Sequence, residues 1–192
     1  MTELILGLMI FLGVHSVRIV GDDWRTRTIA RVGEGLWKGL YSLLSLAGLA
    51  LIAWGFDAAR EQPVLLWTPW PVLRHVAIAL TMVAFVLLAA AYMPANGIKA
   101  RLHHPMVLGV KVWALSHLLV TGMLSHVLLF GAFLTWSVLS FSAARRRDRR
   151  LGTVYAAGNG RATVLTCVLG LAAWGVFAFG LHGLLIGIKP MG

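Results

Sequence analysis

The chain has 192 residues, of which 59% are apolar and only 12% are charged. Soluble domains carry about 25% charged residues, so this composition excludes a soluble enzyme, a disordered chain and a secreted disulfide scaffold. The charges are also unequal, with 17 Lys and Arg against 7 Asp and Glu and a formal net charge of +10. The single cysteine, Cys167, can form neither an intrachain disulfide nor a cysteine-based metal site.

Apolar stretches near 20 residues predict membrane-spanning helices, because a helix of that length crosses about 30 Å of hydrocarbon. The sequence contains six of them: Leu4–Val20, Leu36–Phe56, Val72–Met93, Met106–Thr121, Met123–Phe141 and Ala162–Ile188. The fourth and fifth are separated only by Gly122 and its neighbours, which predicts a tight helical hairpin. The first lacks the basic start and the cleavage pattern of a signal peptide, so we expect it to span. The predicted fold is an all-α polytopic membrane protein, a bundle of about six transmembrane helices in a single domain over residues 1–192.

The basic residues set the predicted orientation of this bundle. If the N-terminus lies outside, the inner segments hold 13 of the 17 basic residues: Arg18, Arg25, Arg27, Arg31, Lys38, Lys99, Arg101, Arg145, Arg146, Arg147, Arg149, Arg150 and Arg161. Positive charge is retained on the cytoplasmic side of membranes. We therefore predict a multi-pass membrane protein whose termini both face outward. The run at 143–150 then anchors the chain at anionic lipid headgroups and does not indicate nucleic-acid binding.

The first inner segment is predicted to be a short interfacial helix. Asp22 and Asp23 can cap a helix that ends at Val32, and Gly33 can act as a left-handed stop. Apolar and basic residues alternate along it, as in helices that lie at a membrane surface.

Histidines at membrane depth are the main chemical signal. His15 and His117 lie within predicted spans, where an ionisable group is costly and usually functional. The alternative is a neutral imidazole that hydrogen-bonds between helices. No Asp or Glu occurs between Glu61 and Asp148, which argues against zinc-protease and diiron-carboxylate sites. Paired histidines on different helices suit a heme held by two imidazoles.

The depths of the histidines in the membrane do not select one pair of heme ligands. From the span boundaries, His15 lies near the inner side and His117 near the outer side, roughly 17 Å apart in depth. Depth-matched alternatives combine His15 with His104, or His117 with His75 or His182. Glycines predict close helix packing in the first and last spans. They are Gly7, Gly13, Gly170, Gly175, Gly180, Gly183 and Gly187.

Several separated motifs resemble the bacterial NnrU family over nearly the whole chain. They are Val14-His15-Ser16, Asp22-Asp23-Trp24-Arg25, the segment from Gly33 to Tyr41 (GEGLWKGLY), and IKARLHHP at 98–105 followed by Gly109, Trp113 and His117. The resemblance implies an inner-membrane protein encoded near denitrification functions and connected with nitrite and nitric-oxide reduction.

A thinner resemblance links the chain to plant zeta-carotene isomerase, through His15-Ser16, Gly33…Trp37 and the pattern from His104 to His117. It implies heme b with iron held by His15 and His117, His104 as a functional neighbour, and isomerisation of a cis double bond. Phe56 stands near the place where the isomerase has a further histidine. If heme is bound, its propionates would pair with Arg18, Arg101 and Lys111.

Three functions follow from these observations. The first is a b-type heme protein acting in electron transfer, isomerisation or nitric-oxide handling, with membrane redox partners and an unidentified small-molecule substrate. The second is a membrane methyltransferase that uses S-adenosylmethionine, because the segment from Leu102 to Gly109 resembles a motif of isoprenylcysteine-type enzymes. The third is a non-catalytic assembly or accessory subunit whose histidines join helices.

Overall fold

The computed structural model describes residues 1–191. Within them the chain is helical and contains no β-strand. The α-helices are α1 (Thr2–Val20), α2 (Asp22–Val32), α3 (Glu34–Glu61), α4 (Leu73–Tyr92), α5 (Gly97–Leu102), α6 (Pro105–Leu119), α7 (Leu124–Leu151), α8 (Gly160–Val176) and α9 (His182–Ile186). A short π-helical stretch, Phe177–Leu181, joins α8 to α9 without a break in the rod.

The six predicted spans are confirmed as helices, and the chain is an all-α polytopic membrane protein. Five rods are long and apolar enough to cross a membrane: α1, α3, α4, α7, and the rod at 160–186. The sixth, α6, has 15 residues and is therefore about 22 Å long. The predicted hairpin forms between α6 and α7. Helix α7 continues ten residues beyond the predicted end at Phe141, because its basic segment keeps the helical backbone.

The interfacial segment forms the predicted helix α2, with one correction at its start. Gly21 is the N-cap residue, and Asp22 and Asp23 occupy the first turn, where neither side chain caps the helix. Their charges still favour the helix, because carboxylates near an N-terminus interact well with its dipole. Gly33 ends α2 with a φ of 86° but a ψ of 154°, so its backbone has positive φ without being left-handed helical. Trp24 packs edge-on against Trp37 at the start of α3, with ring centroids 5.8 Å apart.

Two sets of connections lie at opposite ends of the helices. At the outer end, the 62–72 segment pairs with the α6–α7 turn, where the Leu66 amide donates to the Gly122 carbonyl at 2.8 Å. At the inner end, residues 95–96 pair with Asn159, whose amide donates to the Ala95 carbonyl at 2.8 Å. The α2 segment and the basic end of α7 belong to this inner end by chain direction. The basic residues that the sequence predicts inside therefore share one end of the molecule.

The long helices form an open row instead of a closed bundle. Their contacts run in the order α3, α1, α7, α6, α4, α8, with a smaller contact between α3 and α7. The accessible surface is 11581 Å², whereas a soluble globular monomer of this length exposes about 9,000 Å². The excess belongs to apolar helix faces, which lipid covers in a membrane.

Glycines let neighbouring helices of this row approach closely at some of the predicted positions. A Cβ on Gly7 would lie 2.6 Å from the Ile52 amide nitrogen, and a Cβ on Gly170 would lie 2.6 Å from the Val86 Cα. By contrast, a Cβ on Gly13, Gly175 or Gly180 would meet nothing within 4 Å. The packing role predicted for glycines is therefore confirmed at Gly7 and Gly170 and wrong at those three positions.

Candidate functional site

His15 lies in a half-buried aromatic setting in the inner half of α1. Its Nδ1 is 2.7 Å from the Phe11 carbonyl oxygen, one turn earlier in the same helix. Its ring stacks on Phe11 at a centroid distance of 4.2 Å and lies 5.2 Å from the Tyr41 ring and 6.1 Å from the Trp136 ring. A backbone carbonyl that accepts from Nδ1 leaves the Nε2 lone pair available to a ligand.

His117 has the same local arrangement near the outer end of α6. Its Nδ1 is 2.8 Å from the Trp113 carbonyl oxygen, and the Ser116 hydroxyl lies 3.3 Å from the same nitrogen. The ring stacks on Phe130 of α7 at a centroid distance of 4.4 Å. Its Nε2 is therefore the nitrogen left for a ligand.

His15 and His117 contact α7 at two different levels. Helix α7 contacts both rings, but it contacts His15 through Trp136 and His117 through Phe130. Those positions are about 9 Å apart along the helix axis. His15 therefore lies nearer the inner end of α7 and His117 nearer its outer end.

His126 occupies the level of His117 on the facing helix. The rings of Trp113 and Phe130 meet across the α6–α7 hairpin with centroids 5.1 Å apart. His117 follows Trp113 by four residues, and His126 precedes Phe130 by four residues. Because α6 and α7 are antiparallel, both histidines lie one helical turn closer to the outer end than this contact, at the same depth. His117 is within electrostatic reach of His126 and also of His182.

The surroundings of His126 are aromatic, with one cation nearby. Its ring lies 4.9 Å from that of Phe56 and 6.2 Å from that of Phe130. Arg60 of α3 is close enough for its charge to act on His126, and its guanidinium donates to the Ile186 carbonyl at 2.9 Å. In the sequence, His126 stands near the outer end of the fifth predicted span, and no local motif marks it as a ligand. Counting residues along each helix from the α6–α7 turn would have placed it at the level of His117.

The remaining predicted site residues lie at the inner end. Arg18 has a side chain that is 60% exposed, and its Nε is 3.6 Å from an Asp22 carboxylate oxygen. Arg101 is exposed on α5. His104 lies 2.7 Å from Asp148, through its Nε2 and a carboxylate oxygen. The structure therefore separates His104 from His117 by the length of α6.

His104 belongs to a polar group that we call the inner-end cluster. It consists of His103, His104, Arg145, Asp148 and Tyr155. The Tyr155 hydroxyl donates to the Asp148 carboxylate at 3.1 Å and lies 3.4 Å from the His104 Nε2. The His103 ring stacks on Tyr155 at 4.1 Å with the planes 7° apart, and its Nδ1 meets the Arg145 guanidinium. Burial and the hydrogen bond to the Asp148 carboxylate raise the pKa of Tyr155 above its ordinary value.

Comparison with known proteins identifies the family. The NnrU family model, described as NnrU protein, matches residues 3–190. The chain belongs to the NnrU family. Neither the curated proteins nor the solved structures contain a match to it.

The donor sets of this NnrU protein differ between its two ends. Over residues 1–191, no three side chains of His, Cys, Asp and Glu converge to hold a bare metal ion. The outer end offers two imidazoles at one depth, His117 and His126, in an aromatic setting. Two neutral imidazoles are the donor set of a bis-histidine heme, so these residues fit that group in chemistry and depth. At the inner end, the Asp148 carboxylate already occupies the His104 Nε2.

Proposed function

We propose that this NnrU-family protein binds heme b in the outer half of the membrane, with His117 and His126 as the iron ligands. The observation that carries the proposal is their common depth on two adjacent antiparallel helices. The Trp113 carbonyl at His117 Nδ1 favours the tautomer whose Nε2 is free. His126 also lies beside Phe56, near the place where the resemblance to zeta-carotene isomerase implies a further histidine.

The residues around the pair suit the rest of the group. The apolar rings of Phe56 and Phe130 would cover the macrocycle and exclude water. Arg60 would pair a propionate, because guanidinium binds carboxylates through charge-assisted hydrogen bonds. When bound, heme supplies a redox-active iron. The chain's own part is to hold the two imidazoles neutral and in fixed orientation.

We further propose that the protein serves in nitrite or nitric-oxide metabolism in a bacterial inner membrane. The family membership supports the metabolic role. The basic inner end supports the membrane assignment, because cytoplasmic segments retain Lys and Arg. A redox-dependent isomerisation is the alternative use of the same heme, and its substrate would be a lipid-soluble molecule with a cis double bond.

Absorption spectra of purified variants test the heme ligands. We expect the wild-type protein, expressed with heme supplied, to show a Soret band and the low-spin spectrum of two imidazole ligands. His117→Ala and His126→Ala should each remove that low-spin spectrum. His75→Ala is the matched control, because His75 is an exposed histidine at the same end. His15→Ala should also leave the spectrum unchanged.

Other outcomes of this experiment reject the ligand assignment. Loss of the spectrum in His15→Ala, together with its retention in His126→Ala, would move the iron to the inner half. A heme-supplied wild type without a Soret band would reject heme binding altogether.

An accessory subunit is the second candidate function. It is favoured by the packing of His15 and His117, whose Nδ1 atoms are bonded within their own helices and whose rings stack on phenylalanines. Histidines satisfied in this way can be purely structural. This function predicts that His117→Ala supports nitrite and nitric-oxide turnover in cells as well as the wild type does.

A further inference from the structure

A groove within the membrane lies between α1 and α7. Its volume is about 460 Å³, within the range of about 300–1,000 Å³ for small-molecule sites. Helix α1 lines it with Leu12 and Ser16, and α7 lines it over about 18 Å between Val127 and Leu139. Gly131 leaves its floor open, because an added Cβ there would meet nothing within 4 Å. Two helices therefore form the walls, and the groove opens toward lipid at Leu139, which is 53% exposed.

Two unpaired polar atoms lie at the depth of His15, beside this groove. Among residues 1–191, the buried side-chain polar atoms without a hydrogen-bond partner are Ser45 Oγ and Trp136 Nε1. Trp136 lines the groove, and its ring also lies edge-on to His15 at a centroid distance of 6.1 Å. Because α1 and α3 are antiparallel and Gly48 packs on Phe11, Ser45 lies close to the level of His15. We call this level, with His15, Ser45 and Trp136, the His15 layer.

One hydroxyl group would satisfy the unpaired atoms of the His15 layer. The indole N–H of Trp136 can only donate. The Nδ1 of His15 is bonded to the Phe11 carbonyl, which leaves its Nε2 as an acceptor. A hydroxyl oxygen accepts from the indole while its hydrogen is donated to the imidazole. Unpaired buried polar atoms are costly, and native proteins pair them with other groups, water or ligands. Water and a hydroxyl-bearing ligand both have this chemistry.

We propose that the groove and the His15 layer bind a membrane-soluble quinol. The ring and the apolar tail lie along the groove, and one ring hydroxyl donates to the His15 Nε2 and accepts from the Trp136 N–H. To meet this hydroxyl the indole turns toward the groove, and no hydrogen bond has to break because its N–H has no partner. The groove favours a quinol over water, because a water molecule would gain nothing from its apolar length and a ligand that enters it comes from the lipid.

Isothermal titration calorimetry of the full-length protein in detergent tests this site. The probes are decylubiquinol, kept reduced by dithionite, and decylubiquinone, which has the same ring and tail but no hydroxyl to donate. We expect one decylubiquinol per protein, bound about fivefold more tightly than the quinone, the effect of one hydrogen bond. His15→Phe keeps an aromatic ring but should abolish this preference. Trp136→Phe removes the N–H and should weaken both probes about fivefold. Gly131→Leu fills the groove and should abolish binding.

Trp54→Phe is the matched control, because Trp54 is 66% exposed on α3 and lies outside the groove. It should bind both probes as the wild type does. Equal weakening by Trp54→Phe and Trp136→Phe would show non-specific partitioning and overturn the proposal. Equal affinity of the wild type for quinol and quinone would also overturn it. Absence of binding would leave water as the occupant of the His15 layer and reject the quinol. None of these readouts depends on heme, so the outcome is independent of the proposed function.

Discussion

The His104 Nε2 lies 2.7 Å from an Asp148 carboxylate oxygen, which ties the start of α6 to the end of α7. The two side chains are only 18% and 15% exposed. Four arginines, Arg146, Arg147, Arg149 and Arg150, immediately surround Asp148 in sequence. A carboxylate so placed can turn toward lipid headgroups or inward, and here it turns inward to the histidine and to Tyr155. The inner-end cluster thereby joins α6, α7 and the segment that leads to α8.

Replacing this carboxylate tests the importance of the cluster. Asp148→Asn keeps the size of the side chain but removes its charge. We expect the free energy of unfolding to fall by about 1.5–3 kcal/mol, the range for a hydrogen bond to a charged group. Thermal unfolding in detergent measures the change. Arg150→Gln is the control for a charge change at an exposed position of the same helix, and an equal effect in both variants would contradict the prediction.

The spans and the hairpin could be predicted because their signals are local in the sequence. These signals are the length of each apolar stretch and the turn at Gly122. The inner-end cluster could not be predicted, for two reasons. First, α7 remains helical past Phe141. Second, the chain after α7 folds back so that Tyr155 contacts Asp148. Neither feature is marked by a periodic pattern of apolar residues in the sequence. In the sequence, Asp148 is one acid within a basic run, which is typical of a solvated membrane anchor. The common depth of His126 and His117 could have been predicted, because the register of a helical hairpin follows from the position of its turn.

Ionisation of the Tyr155 hydroxyl should make the stability of the protein depend on pH in the alkaline range. Burial and the bond to Asp148 raise its pKa above the ordinary value of 10.0. Because the folded-state pKa is the higher one, its contribution to stability is complete below pH 10.0 and is lost as the pH rises through the folded-state pKa. Near-ultraviolet absorbance titration of wild type minus Tyr155→Phe should show ionisation above pH 10.0.

Tyr92→Phe is the control for that titration, since Tyr92 is 77% exposed and lies outside the cluster. Its removal should leave the Tyr155 ionisation in place. Ionisation of Tyr155 at or below its ordinary pKa would mean that the bond to Asp148 does not persist in solution.

Two glycines of α3 should respond in opposite directions to the same substitution. A Cβ on Gly48 would lie 2.8 Å from the Phe11 amide nitrogen, whereas a Cβ on Gly39 would meet nothing within 4 Å. Gly48→Ala should therefore force α1 and α3 apart and cost about 1–3 kcal/mol of stability. Gly39→Ala should stabilise the helix by about 0.4–1 kcal/mol, because alanine has less freedom to lose on folding. Thermal unfolding of both variants measures this contrast, and equal shifts would contradict the close approach at Gly48.

Thiol labelling tests the orientation of the whole row. In a Cys167→Ala background, Thr68→Cys places a single thiol in the exposed 62–72 segment, and Thr153→Cys places one just after α7. The excess of basic residues at the inner end predicts that this end faces the cytoplasm. A membrane-impermeant maleimide should therefore label Thr68→Cys in cells whose inner membrane is accessible, and Thr153→Cys only after the membrane is broken. The pairing of residues 62–72 with the α6–α7 turn requires Gly122 to lie on the same side as Thr68. Labelling of Thr153→Cys before lysis would invert the row and place the outer-half histidines in the cytoplasmic leaflet.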